Sequence, residues 1–272
     1  MSLLQALVLG IIQGITEFFP VSSSGHLAVL PRFFNWPQQP LVFDTTVHLG
    51  TALALLIVFR NDIWKIVSSV FKDFSSNRLT FNKYSEDSKL GYKILVGSIP
   101  AGLMGYFFRD FFENDVRGLL FIVGFLLFGS VLMSIAEQIQ KKRLLSKDEL
   151  TIKQSFKVGI FQALALFPGV SRSGATISGG MILGLNREHA TKFSFLLSVP
   201  IIIAAWLFEI KDSFSSLANL DLEPLVIGFL ASFGTAIFAI RFLLKFVKSR
   251  NLYPFVLYRL VLAAIVLAAF FQ

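Results

Sequence analysis

The stretch "GIIQGITEFFPVSSSG" (residues 10–25) places Glu17 and three consecutive serines inside an apolar run that breaks at Pro20 and Gly25. A second stretch, "GIFQALALFPGVSRSG" (residues 159–174), repeats its pattern at an offset of 149. Gly, Ile, Gln, Val, Ser, Ser and Gly coincide, and the prolines slip by one position. Polar and helix-breaking residues at membrane depth are tolerated where they line a cavity or are buried in protein. Two such breaks, built alike, predict an internal repeat whose broken loops meet.

Composition sets the environment. Of 272 residues, 54% are hydrophobic and 15% charged, against about 45–50% and about 25% in soluble domains. This predicts an all-α polytopic membrane protein, one membrane domain over residues 1–272. Absence of cysteine excludes disulfides, thiolate metal sites and thiol nucleophiles. Three widely spaced histidines argue against a zinc site. The net charge of +8 fits basic cytoplasmic loops better than nucleic-acid binding. The N-terminus has neither the basic flank nor the cleavage site of a signal peptide, so it is expected in the mature protein.

Charges cluster in six segments, 60–93, 109–117, 137–157, 186–192, 209–223 and 241–250, leaving Glu17, Arg32, Asp44, Arg172 and Arg259 elsewhere. The apolar runs between them, 45–59, 94–108, 118–136, 193–208, 224–240 and 251–272, approach the roughly 20 residues that span the hydrocarbon core. Charge bias puts 60–93, 137–157 and 241–250 inside, and 109–117 and 209–223 outside with both termini. Residues 1–31 and 158–185 then have to enter and return on one side. The expected fold has six transmembrane helices plus two re-entrant helix-loop-helix hairpins. Three spans follow each hairpin, so the halves, about 1–136 and 150–272 around the basic loop, form an inverted-topology repeat.

An intramembrane ionisable residue is a functional candidate by default, which singles out Glu17. Gln13 lies one turn away on the same helix face. Ser22, Ser23 and Ser24 follow the break, with one serine, Ser23, as candidate nucleophile and His26 as its base. In the second copy, Ser171, Ser173 and Thr176 surround Arg172, whose forked donors match a phosphate beside a helix N-terminus that favours anions. Arg172 is equally placed to pair with Glu17 across the repeat. His48 and His189 are expected to be structural. One carboxylate, one imidazole, one guanidinium and several hydroxyls make an anion site with a base and a nucleophile. Within lipid, its natural substrate is a lipid-linked phosphate.

Two stretches, "LGIIQGITEFFPVSSSGH" and "PGVSRSGATISGG", resemble the signatures of the bacterial undecaprenyl pyrophosphate phosphatase (bacitracin-resistance) family. The likeness extends to "FSFLLSVP" (193–200) and "YPFVLYR" (253–259). It implies hydrolysis of undecaprenyl diphosphate to the monophosphate and phosphate, recycling the lipid carrier of peptidoglycan synthesis. It also implies a multi-pass protein of the bacterial cytoplasmic membrane, with its active site open to the outer side, and the family includes homodimers. A divalent cation, Mg²⁺ or Ca²⁺, is implied at Glu17 and Gln13. Similar proteins carry Glu or Gln at the first of these positions, and here Gln13 offers a neutral carbonyl. The fold alone also suits a lipid-phosphate transporter or flippase. A type-2 phosphatidic-acid phosphatase is excluded, because His189 lies 17 residues beyond Arg172.

Overall fold

A computed structural model describes residues 1–77, 80–112, 116, 118–212 and 221–270. It is all-helical, with eleven α-helices among the described residues. In chain order these are α1 (Leu3–Thr16), α2 (Ser23–Phe33), α3 (Leu41–Val58), α4 (Arg60–Asn77), α5 (Glu86–Phe107), α6 (Leu119–Lys142), α7 (Ile152–Leu164), α8 (Arg172–Ile182), α9 (Arg187–Asp212), α10 (Leu222–Ser249) and α11 (Tyr253–Phe270).

Four of them, α3, α6, α9 and α10, are long and apolar enough to cross a membrane, so the chain is a polytopic membrane protein. The other two expected spans are weaker. Helix α5 is long enough, but Glu86, Asp87, Lys89 and Lys93 charge its first eight residues. Helix α11 is apolar but short.

The segment 60–93, expected as a loop, holds α4 and the start of α5. Trp64, Val67, Phe71 and Phe74 of α4 are exposed at helical spacing, which gives the helix an apolar stripe among its charges. The basic segments 186–192 and 241–250 lie mostly in the ends of α9 and α10 rather than between helices. Of the expected outer loops, residues 113–115, 117 and 213–220 lie outside the described residues.

Both breaks are built alike. Ser22 and Ser171 adopt φ of 74° and 73°, a region that costs a non-glycine residue about 1–3 kcal/mol. Each caps the following helix by accepting a hydrogen bond from a glycine amide, Gly25 N to Ser22 Oγ at 3.2 Å and Gly174 N to Ser171 Oγ at 3.2 Å. Satisfying an orphan donor of the first turn offsets part of that strain. The half-helices that follow, α2 and α8, have 11 residues each.

Each half-helix pair leans on the opposite half of the chain. Helix α1 packs on α10, and α7 packs on α5. Both contacts are glycine to glycine. A Cβ at Gly10 would meet the Gly228 carbonyl, and one at Gly159 would meet the Gly97 carbonyl. The main core runs between the breaks and the long helices, through Phe18, Phe195, Ile177, Met181, Ile240 and Leu243.

Candidate active site

Helix α1 ends just before Glu17, which is 6% exposed. A buried carboxylate is costly unless its lone pairs are met, and here they are. Arg172 Nη2 donates to Oε1 at 2.6 Å. Ser23 Oγ donates to Oε2 at 2.6 Å, and Gln13 Nε2 donates to the same oxygen at 2.9 Å. His48 Nε2 of α3 lies 3.4 Å from it. Glu17 is thus the hub at which α1, α2, α3 and α8 converge.

The sequence pointed to Glu17, Gln13, Ser23 and Arg172, and the structure brings these four together. It gives His26 other partners. His26 Nδ1 donates to the Ser22 carbonyl at 2.7 Å, and Nε2 meets the Tyr258 hydroxyl at 2.7 Å. The expected Ser23–His26 hydrogen bond is replaced by Ser23–Glu17. The spacing would allow the pair, but Ser23 Oγ is held by the Glu17 carboxylate and both His26 ring nitrogens are taken by Ser22 and Tyr258.

The remaining hydroxyls are drawn into the scaffold. Ser22 and Ser171 cap their helices, and Ser22 Oγ lies 3.4 Å from Ser24 Oγ, as Ser171 Oγ lies 3.2 Å from Ser173 Oγ. Ser173 Oγ also donates to the Phe19 carbonyl at 3.2 Å, tying the second break to the first. Thr176 Oγ1 donates to the Arg172 carbonyl at 2.8 Å and lies 2.6 Å from Ser194 Oγ. His189 pairs with Asn186 and Asp148, away from the breaks.

Three residues that the sequence did not mark as functional stand beside the site. His48 touches the hub. Tyr258 touches His26. Arg259 is 0% exposed, and its guanidinium donates to Gly169 O at 2.8 Å, Leu126 O at 3.0 Å, Phe125 O at 3.2 Å, Ser130 Oγ at 3.2 Å and Pro20 O at 3.4 Å. One side chain therefore holds the carbonyls of both breaks. A Cβ at Gly129 would collide with it, so that glycine makes its room. The signal was present for two of the three. His48 and Arg259 are ionisable residues in apolar runs, the criterion that selected Glu17.

For a divalent cation, the chain offers Glu17 and the Gln13 Oε1 oxygen, which is buried with no hydrogen-bond partner among the described residues. An orphaned carbonyl beside a carboxylate suits a hard cation. No group of three or more His, Asp or Glu suited to a metal occurs among the described residues. The fit is therefore a two-ligand site that phosphate oxygens and water would complete, as Mg²⁺ sites commonly are.

A buried Glu17–Arg172 hub between two capped helix starts, within an all-helical bundle, defines a polytopic membrane protein with one charged centre where its two breaks meet. The chain matches the family described as "Bacitracin resistance protein BacA" over residues 6–265, and it belongs to that family. It is 39% identical over 268 residues to an "Undecaprenyl-diphosphatase" of Marinobacter nauticus, covering 98% of this chain and 99% of that one. It is 40% identical over 271 residues to an "Undecaprenyl-diphosphatase" of Idiomarina loihiensis, covering 100% of both. A protein of the same name from a Nocardioides species is 40% identical over 265 residues, covering 96% and 94%.

Proposed function

We propose that this chain is an undecaprenyl-diphosphatase of the bacterial cytoplasmic membrane. It hydrolyses undecaprenyl diphosphate to undecaprenyl phosphate and phosphate, and so recycles the carrier for peptidoglycan synthesis. Full-length relatives of that name support the activity. The observation that carries the site is the Glu17 hub, where Ser23 and Arg172 share one carboxylate.

The bundle is read as six crossings, α3, α5, α6, α9, α10 and α11, plus two re-entrant hairpins, α1–α2 and α7–α8. They form one domain of two inverted halves with the site open to the outer side. The like-built breaks and the glycine contacts between opposite halves support this arrangement.

The terminal phosphate sits between the starts of α2 and α8, where amides favour anions. Ser22, Ser24, Ser171, Ser173 and Thr176 shape that cradle. Arg172 exchanges Glu17 for phosphate oxygens, which its fork holds in two places. Glu17, released from Arg172, takes the proton of Ser23 along their 2.6 Å hydrogen bond. Ser23 Oγ bonds to the terminal phosphorus as the bond to the bridging oxygen breaks, and the lipid monophosphate leaves. Water then attacks the same phosphorus with His26 as base, the Ser23 Oγ–P bond breaks, and Glu17 gives the proton back to Ser23 Oγ. Glu17 and Gln13 Oε1 would hold a divalent cation, which supplies charge neutralisation to the diphosphate.

Purified protein in liposomes should release phosphate from undecaprenyl diphosphate. Movement of intact lipid diphosphate between leaflets with no phosphate released would instead favour a transporter.

A further inference from the structure

We propose that Tyr258 is the proton relay and positioning residue of His26, an inference that rests on the phosphatase reading. A carbonyl oxygen only accepts, so the 2.7 Å contact with Ser22 O places a hydrogen on His26 Nδ1. In the neutral ring the base is then the Nε2 lone pair. The Tyr258 hydroxyl, 2.7 Å away, donates into that lone pair. The two rings are nearly parallel, at 13° with centroids 5.7 Å apart, so the hydroxyl meets Nε2 edge to edge, near the plane of the imidazole where its lone pair lies. His26 can gain a proton directly only by breaking this bond, whereas gaining one through it costs nothing in geometry.

Exposure separates the pair. His26 is 6% exposed and Tyr258 is 46% exposed. Tyr258 thus stands between the buried imidazole and the exposed side of α11, with its hydroxyl on the imidazole. Its position is fixed from behind. The next residue, Arg259, is fully buried and anchored on α6 and on both breaks, which locks the register of α11 against them.

In the second displacement, water gives a proton to the Tyr258 oxygen while the Tyr258 hydroxyl proton passes to His26 Nε2. One O–H bond of water breaks and one N–H bond forms. Tyr258 ends as a neutral phenol, the hydroxide oxygen bonds to phosphorus as the Ser23 Oγ–P bond breaks, and Glu17 returns to Ser23 Oγ the proton it took in the first displacement. The imidazolium returns its proton by the same route once phosphate leaves.

Tyr258→Phe removes the hydroxyl and keeps the ring. Phosphate release from undecaprenyl diphosphate is measured for the wild type, Tyr258→Phe, His26→Gln and the double variant, with melting temperature in detergent. The expected result is a kcat loss of about tenfold or more for Tyr258→Phe with KM falling in parallel, so that kcat/KM stays within about threefold because only the second displacement is slowed, and a double variant no slower than His26→Gln, because residues acting as a unit are not additive. Near-wild-type kcat in Tyr258→Phe, additive losses, or a kcat loss that matches lost folded protein would overturn the relay. A wild type that releases no phosphate would overturn the phosphatase reading itself.

Discussion

Arg172 of α8 closes on Glu17, at the end of α1, at 2.6 Å, across 155 residues of sequence. The contact joins the two halves of the chain at their breaks. It also satisfies a carboxylate and a guanidinium that neither half could bury alone.

Removing one partner of a buried ion pair leaves the other uncompensated, at about 3–5 kcal/mol. Glu17→Gln should therefore lower both the melting temperature in detergent and the turnover. Wild-type stability in that variant would mean that the hub is not a buried charge network.

Ser23 and His26 should separate by chemistry. Ser23→Ala should abolish phosphate release, since the nucleophile is lost, while His26→Ala should slow the second displacement and leave phosphorylated Ser23 to accumulate. Isolation of that phosphoserine from the His26→Ala protein checks the order. A Ser23→Ala protein that keeps substantial activity would instead make water the attacking group.

Cation dependence should track Gln13. Chelation is expected to suppress turnover, and added Mg²⁺ or Ca²⁺ to restore it. Gln13→Glu adds a second carboxylate and should lower the cation concentration needed for half-maximal rate. Undiminished activity in chelator would remove the cation from the site.

Topology is directly testable, because the chain has no cysteine. Single cysteines in 60–93, 137–157 and 241–250 should react only from the cytoplasmic side, and those in 109–117 and 209–223 only from outside. A cysteine in 137–157 that reacts from outside would break the inverted-repeat arrangement.

What the sequence disclosed, and what it hid, follows from the range of each interaction. Pro20, Gly25, Pro168 and Gly169 act within a turn, so the breaks could be located from the chain alone. Glu17, Ser23 and Arg172 stood out as polar residues beside those breaks. The partner of His26 did not. Tyr258 lies 232 residues away, and although it falls within YPFVLYR, nothing in that stretch ties it to His26. His48 was passed over because it sits in an unbroken helix, where nothing nearby signals its approach to Glu17. Helix α4 was hidden by its charges, which made 60–93 look like a loop although Trp64, Val67, Phe71 and Phe74 keep helical spacing.

The central claim is that residues from both breaks form one phosphate-handling centre, with Arg172 acting through its fork. The most direct measurement is steady-state phosphate release from undecaprenyl diphosphate by Arg172→Lys, with folding verified by melting temperature in detergent. Lysine keeps the charge and loses bidentate geometry. The account predicts a loss of at least about tenfold, equivalent to about 1.4 kcal/mol in the transition state. Near-normal turnover by a well-folded Arg172→Lys protein would contradict it and leave Arg172 as a structural partner of Glu17 alone.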